Sequence, residues 1–256
     1  MILVEKNRGR DPPIYIMIFI FDVDGTLTPS RKEMDREFQD WFSMFAMINN
    51  VYLATGSDAA KTIEQIGERL FNGVNRVYNC SGNSVWNHGK NIYNNDWTLE
   101  EEPWKYLESK LNQSGWEPKT GWHFDERPGL LNFSILGRKA TTKQRDLYTT
   151  YDFFNDERNQ ISQEFNLLYG DKYGIVSQVA GETGIDITPV GKGKEQILDN
   201  FDAEETIYFF GDKTEMGGND FEISQKVQLM KNGHSFTVTD WQDTWEKLKS
   251  EDYLSK

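Results

Sequence analysis

Cysteine, histidine and proline are scarce in this chain. The one cysteine, Cys80, cannot form an internal disulfide, which points to a reducing compartment, the cytoplasm. The three histidines, His88, His123 and His234, are too scattered to build a metal centre. Seven prolines in 256 residues leave no proline-rich or collagen-like tract. Positive charge is in deficit as well, with 28 Lys plus Arg against 41 Asp plus Glu, a net charge of −13. That surplus repels phosphate backbones and no segregated basic patch offsets it, so nucleic acid is not expected as a partner. The longest apolar run, Ile14–Phe21, is interrupted by Tyr15 and falls far short of the about 20 residues that cross a bilayer, so no membrane is expected either. An acidic motif rather than a small-residue cleavage site follows it, which argues against a signal peptide.

What remains is a chain that can fold on its own core. Hydrophobic residues make up 37% and aromatics 14%, enough for one large domain or two small ones without disulfide or metal staples. Residues 1–13 are charged, carry two prolines and show no periodicity; they read as an N-terminal extension without fixed structure. Tyr15–Phe21 has the continuous apolar pattern of a strand buried on both faces. Lys32–Ile48 repeats Met34, Phe38, Trp41, Phe42 and Phe45 at helical spacing. Val51–Ala54 predicts a second strand, Asp58–Leu70 a second helix and Arg76–Tyr78 a third strand. Strand and helix alternate, which means parallel pairing through right-handed crossovers.

The texture changes near Asn91. Trp97–Leu111 predicts an amphipathic helix. Trp122–Glu126 and Leu131–Leu136 alternate around Arg127-Pro128-Gly129 as an antiparallel pair. Thr141–Leu167 predicts charged helix, and Tyr173–Val179 and Ile185–Thr188 further strands. The first pattern then returns with helix Glu195–Asn200, strand Thr206–Phe210, a glycine-rich acidic loop, strand Phe236–Val238 and a last helix from Asp240. The expected fold is an α/β core with a parallel sheet (14–93 and 189–256), interrupted by an α+β cap with an antiparallel sheet (94–188).

Chemistry concentrates where the apolar strands end. Phe21-Asp22-Val23-Asp24-Gly25-Thr26-Leu27-Thr28 places two carboxylates at i and i+2 directly after the first strand. In open parallel sheets ligands bind beyond the carboxyl ends of the strands, so both acids face a crevice. Two acids this close repel each other and need a cation or a shared proton, and a hard dication such as Mg²⁺ suits oxygen ligands. A second strand runs into Gly211-Asp212-Lys213-Thr214 and Gly217-Gly218-Asn219-Asp220. Asp212 would complete the metal site with Asp22 and the Asp24 carbonyl, and Asp220 is a ligand or a partner of one. Thr55-Gly56-Ser57-Asp58 sits where a strand meets a helix; its hydroxyls can hold a phosphoryl oxygen, or Ser57 or Asp58 can serve as an ordinary helix cap. Lys194 offers an ammonium to neutralise phosphoryl charge, although a lone lysine is more often a solvated one.

These four signals in this order resemble the haloacid dehalogenase superfamily, and more narrowly the eukaryotic-type phosphomannomutase family, from about Ile18 to the last helix. The resemblance implies Mg²⁺-dependent phosphoryl transfer through an aspartyl-phosphate. Asp22 would be the nucleophile and Asp24 the general acid and base, with Thr55, Ser57 and Lys194 on the phosphoryl oxygens and Asp22, Asp24, Asp212 and Asp220 as the metal set. Arg31 would be the core-side substrate arginine. Arg127, Asn132, Arg138, Arg145, Thr183, Gly184 and Asp186 would form the cap's grip on a phosphorylated sugar. A hexose 1,6-bisphosphate is implied as primer, and a homodimer through the cap as the assembly. The arginines suit this independently, since guanidinium forks grip phosphate bidentately.

The chain also departs from the family's pattern. Gly184 stands where a serine is usual, Thr55 where a glycine is usual, and Ser81-Gly82-Asn83 replaces Glu-Asn-Gly. These changes leave the phosphoryl chemistry intact and keep a sugar-phosphate phosphatase as the alternative to a mutase. A non-catalytic sugar-phosphate binder is a third reading, which the full aspartate set argues against. Trp97, Trp104, Trp116 and Trp122 are expected to serve core packing or a dimer surface.

Overall fold

The computed structural model describes residues 16–250; the extension expected at 1–13 and the first residues of the expected first strand lie outside them. The first half of the chain builds β1 (Met17–Phe21), α1 (Arg36–Ile48), β2 (Asn50–Ala54), α2 (Ala59–Ile66), α3 (Glu68–Gly73), β3 (Arg76–Asn79), β4 (Ser84–Asn87) and β5 (Lys90–Asn94). A second group follows: α4 (Glu101–Gln113), β6 (Phe124–Arg127), β7 (Leu130–Phe133), α5 (Thr142–Asn155), α6 (Glu157–Phe165), α7 (Asp171–Tyr173), β8 (Ile175–Ala180) and β9 (Gly184–Pro189). The chain then returns through a 3₁₀ turn (Lys194–Asn200) to β10 (Thr206–Gly211), α8 (Phe221–Leu229), β11 (Gly233–Thr237) and α9 (Trp241–Ser250).

Two sheets result. The larger runs β11-β10-β1-β2-β3-β4-β5 and the smaller β6-β7-β9-β8. The larger is parallel from β11 to β3 and ends in an antiparallel β3-β4-β5 edge. Its centre, β1, is buried on both faces, as its apolar run predicts: Phe19 and Phe21 pack with Phe38, Phe42 and Phe45 of α1, while Ile18 and Ile20 pack with Ile197, Ile223 and Val227 on the other side. The smaller sheet is antiparallel throughout. One face packs Leu131, Phe133, Ile185 and Ile187 against Leu107, Tyr148, Ile161 and Phe165 of its helices. Because side chains alternate along a strand, the residues between those apolar ones face the opposite way. Asp125, Asn132 and Asp186 are register partners across β6, β7 and β9, so they form one polar row.

The expected α/β core with an antiparallel α+β unit is therefore the observed fold, with differences at element ends. Helix α1 starts at Arg36 rather than Lys32, because the Asp35 carboxylate accepts from the N–H groups of Glu37 and Phe38 and caps it there. The helix expected over Asp58–Leu70 is two, broken at Gly67, whose φ of 77° only glycine adopts freely. Likewise Asp156 at φ 53° divides the expected Thr141–Leu167 helix into α5 and α6. Glu195–Asn200 is a 3₁₀ turn, not an α-helix. Helix α4 starts at Glu101, after Asn95 has accepted from the Trp97 N–H. Of the four tryptophans, Trp104 stacks on Phe124 at 4.4 Å and Trp116 packs against Tyr148 and Tyr151, which is core packing; Trp97 packs against the same cluster, and Trp122 is half exposed. Among the described residues no helix is long and apolar enough to cross a membrane.

Candidate active site

The sheet order explains the site. The chain leaves β1 towards β2 on one side and reaches β10 on the other, so β1 lies at the point where the connections diverge. There the carboxyl ends of neighbouring strands open a crevice. In the register, Phe21 lies beside Phe210 and Leu53. The next residues out are Asp22, Gly211-Asp212 and Ala54-Thr55, and the Asp22 N–H is still tied to the Phe210 carbonyl at 2.9 Å.

Asp22, Asp212 and Asp220 converge so that one oxygen from each lies within 4.8 Å of the others. Lys194 enters from below, its Nζ 2.5 Å from Asp22 Oδ1 and 2.6 Å from Asp220 Oδ1. Asp22, Asp220 and Lys194 are all buried. Burial pushes the Asp22 carboxyl up despite the attraction of Lys194, with Asp220 adding repulsion. Burial also raises Asp212. Burial opposes the Lys194 charge, but Asp22 and Asp220 together outweigh it and hold the ammonium above its usual range. Asp22 and Asp220 share the Lys194 ammonium, Asp212 has only the half-exposed Lys213 at 3.9 Å, and Asp22 Oδ2 and Asp212 Oδ1 are buried without a hydrogen-bond partner. Buried bare carboxylate oxygens on an acid-rich cluster are the donor set of a hard dication. Asp220 differs: Oδ1 takes Lys194 and Oδ2 accepts from the Lys213 N–H at 3.3 Å, so both its oxygens are engaged.

The Asp24 carboxylate is not one of the converging group. Its Oδ1 accepts from the Arg31 N–H at 2.7 Å and from Gln65 Nε2 at 2.9 Å, while Oδ2 accepts from the Ser57 hydroxyl at 3.3 Å. Only its main-chain carbonyl remains as the expected metal contact. Gln65 is a residue that sequence reasoning missed; the available signal was a lone amide on the apolar face of α2 beside Ile66. Thr55 is buried and its Oγ1 accepts from the Ser57 N–H at 3.1 Å, which shapes the turn into α2. Gly25, at φ 86°, lies so close to Asp212 that a Cβ there would sit 2.3 Å from Oδ2.

The polar row of the smaller sheet faces a cavity of about 110 Å³. All eight residues expected to grip substrate line it: Arg31 from the core, Arg127, Asn132, Arg138 and Arg145 from β6 to α5, and Thr183, Gly184 and Asp186 at β9. Asp125, which was not foreseen, organises two of the guanidinium groups. Its Oδ2 lies 2.7 Å from Arg127 and 3.0 Å from Arg138. Burial and the neighbouring Arg127 lower the Arg138 pKa. For Arg127 burial acts against the charge, but Asp125 prevails and raises it. Asn132 donates to Asp186 at 2.6 Å and accepts from Arg138 at 3.2 Å; burial raises the Asp186 carboxyl. The unusual Gly184 has a physical reason, since a Cβ there would lie 2.5 Å from Asn132 Nδ2.

A parallel sheet with acids at the ends of β1 and β10 and a separate antiparallel unit is the haloacid dehalogenase architecture. A haloacid dehalogenase-like hydrolase from Bacteroides thetaiotaomicron has the same fold, with a TM-score of 0.59 over 93% of this chain and 99% of that one at 16% identity. The IMP-nucleotidase of Plasmodium falciparum, at a TM-score of 0.58 and 14% identity, matches 93% of this chain and 68% of that one. A sequence profile of eukaryotic phosphomannomutase matches residues 39–251. The phosphomannomutase of Schizosaccharomyces pombe is 30% identical over 91% of this chain and 93% of its own length. That of Arabidopsis thaliana is 30% identical over 91% and 96%, and that of Saccharomyces cerevisiae 28% identical over 87% and 90%. The chain belongs to the eukaryotic phosphomannomutase family and is an enzyme.

Proposed function

We propose that this enzyme interconverts mannose 6-phosphate and mannose 1-phosphate by phosphoryl transfer through Asp22, in the cytoplasm, where the lone cysteine stays reduced. The observation that carries the reading is the pairing of one nucleophile site with a separate cavity lined by four arginines. A phosphatase needs only the first, whereas a mutase must hold the sugar's distal phosphate as well.

An oxygen of Asp22 attacks phosphorus and the bond from phosphorus to the sugar oxygen breaks. Asp24, held by Gln65, Ser57 and the Arg31 N–H, gives its proton to that leaving oxygen. In the return step a second sugar hydroxyl gives its proton to Asp24 and takes the phosphoryl group, which restores Asp22. Lys194 stays charged beside Asp22 and offsets the charge brought by phosphate, and Ser57 and Thr55 face the phosphoryl oxygens. Asp22, Asp212 and the Asp24 carbonyl would hold Mg²⁺, with Asp220 orienting Lys194. The bound ion would supply electrostatic stabilisation of the phosphoryl oxygens. A hexose 1,6-bisphosphate would load Asp22 before the first turnover and is the form in which the sugar reverses.

Arg127, Arg138, Arg145 and Arg31 would hold the distal phosphate, and Asp186 with Asn132 the sugar hydroxyls. Residues 94–188 act in this reading as the cap that closes over Asp22 and excludes water. The dimer expected through that cap is part of the proposal. Leu147, Phe153 and Phe154 give α5 an exposed apolar face there, and sedimentation equilibrium tests it. Thr55, where the family carries glycine, is the residue that favours hydrolysis as the second reading. Incubating the protein with mannose 1-phosphate, Mg²⁺ and a bisphosphate primer decides between them. Mannose 6-phosphate is expected; free phosphate with no isomer would establish the phosphatase instead.

A further inference from the structure

We propose that Asn83 is a positioning residue for this reaction, the pivot on which the cap is hinged to the core. The inference rests on the reading above, in which the cap must stand correctly over Asp22. Asn83 takes part in no expected chemistry; it lies in the stretch Ser81-Gly82-Asn83 where the chain departs from its family.

The chain passes between the two sheets twice, after β5 and after β9, and Asn83 holds both passages. On the way out, the Asn95 N–H donates to the Asn83 carbonyl at 2.8 Å and the Asn95 side-chain amide donates to Asn83 Oδ1 at 2.9 Å. On the way back, Asn83 Nδ2 donates to the Lys192 carbonyl at 3.0 Å. The cap itself bears on the same side chain. Gly129, in the turn between β6 and β7, lies so close that a Cβ there would sit 2.4 Å from Asn83 Cγ. Two covalent connections and one packing contact therefore meet at one residue, which is fully buried.

A pivot must itself be fixed, and Asn83 is tied to the loops of the active site. Its Nδ2 also donates to the Cys80 carbonyl at 2.8 Å. Cys80, Ser81 and Gly82 are three successive left-handed residues, at φ 48°, 57° and 92°, a conformation held only where its surroundings impose it. Here the Cys80 N–H donates to the Ser57 carbonyl at 3.0 Å and the Ser81 N–H to the Thr55 carbonyl at 2.8 Å. Gln196, two residues after Lys194, closes the ring by donating to the carbonyls of Ser81 and Lys192 at 2.9 Å each. The unit that aims Thr55 and Ser57 is thus the unit the cap turns on.

An amide fits this position for a chemical reason. Both donors of Nδ2 and the acceptor Oδ1 are in use. A carboxylate of the same shape would set oxygen against the carbonyls of Cys80 and Lys192, and an alanine would remove the side-chain bond to each passage, leaving the Asn95 N–H on the main-chain carbonyl and Gln196 on Lys192 as the remaining ties.

The test combines kinetics with a distance measurement on the full chain carrying Asn83→Ala or Asn83→Asp. For a hexose phosphate, kcat/KM should fall on the order of 100-fold, as misplacement by about 1 Å can cause. Hydrolysis of p-nitrophenyl phosphate, which reaches Asp22 without the cap arginines, should fall far less than turnover of the hexose phosphate. Spin labels at Leu167→Cys in the smaller unit and Leu229→Cys in the larger, both highly exposed, report the separation; native Cys80 is buried and stays unlabelled. The distribution should be narrow with Asn83 and broad in either variant. Should the variants fold poorly, Gly129→Ala in the wild-type background should shift the same distance. Equal loss on both substrates with an unchanged distribution would overturn the pivot, as would unchanged sugar-phosphate kinetics. If the unaltered protein acts on neither substrate, the functional reading fails, while the label distances still test the pivot.

Discussion

Lys194 and Asp22 stand 172 positions apart in the chain and 2.5 Å apart in the fold. The same ammonium reaches Asp220, and nothing else positive stands as close to either buried acid among the described residues. One lysine therefore keeps two buried carboxylates tolerable and sets the charge beside Asp22.

Lys194→Met should destabilise the protein by about 3–5 kcal/mol, the usual cost of leaving a buried ion pair with one partner. Urea denaturation at neutral pH measures it. Adding Asp220→Asn should recover part of the loss, because one of the stranded charges is then gone. A change below about 1 kcal/mol, the value of an exposed pair, would mean that Lys194 is solvated in solution.

Gly25→Ala places a methyl group against Asp212 Oδ2 at a backbone angle, φ 86°, that alanine rarely adopts. Divalent-cation affinity and kcat should both fall, by about tenfold or more, while sugar-phosphate binding is retained, because the methyl group would meet Asp212 and none of the residues that line the arginine-rich cavity. Isothermal titration with Mg²⁺ and with substrate separates the two effects. Loss of substrate binding without loss of cation affinity would contradict the geometry.

Gln65→Leu removes the donors to Asp24 Oδ1 and to the Thr28 hydroxyl. Turnover should fall about 10–100-fold, a fraction of the 10²–10⁴ that general acid–base catalysis contributes. KM should hold, because Gln65 does not line the arginine-rich cavity. Steady-state kinetics with a hexose phosphate check this, and an equal rise in KM would place Gln65 in binding instead.

Much of this site was legible in the sequence, for a definite reason. Strands β1, β2 and β10 are buried on both faces, so they appear as unbroken apolar runs, and the acid or hydroxyl that ends each run stands out. Asp22, Thr55 and Asp212 were visible in that way. The edge pair β4-β5 was not, since β5 is exposed along its whole length and its polar residues carry no burial pattern. Helix α8 was hidden behind a glycine-rich loop, and its start at Phe221 is marked by no side-chain cap. Gln65 and Asp125 act through partners far away in the chain or across a strand. Their importance depends on register, which local periodicity does not contain.

Arg138→Lys keeps the charge but loses the fork that spans Asp125 and Asn132. KM for a hexose phosphate should rise about 10–100-fold, matching one or two hydrogen bonds to a charged group, with kcat nearly constant. Turnover of p-nitrophenyl phosphate should not change. A variant that loses both activities would instead show that Arg138 supports the fold.

Whether Asp22 is the group that carries phosphate is tested most directly by intact-protein mass spectrometry after rapid acid quench. With a hexose 1,6-bisphosphate and Mg²⁺, the protein should gain a single phosphoryl mass that maps to the peptide bearing Asp22, and Asp22→Asn should neither gain it nor turn over. A phosphoryl group on another residue, or persistent turnover by Asp22→Asn, would contradict the account.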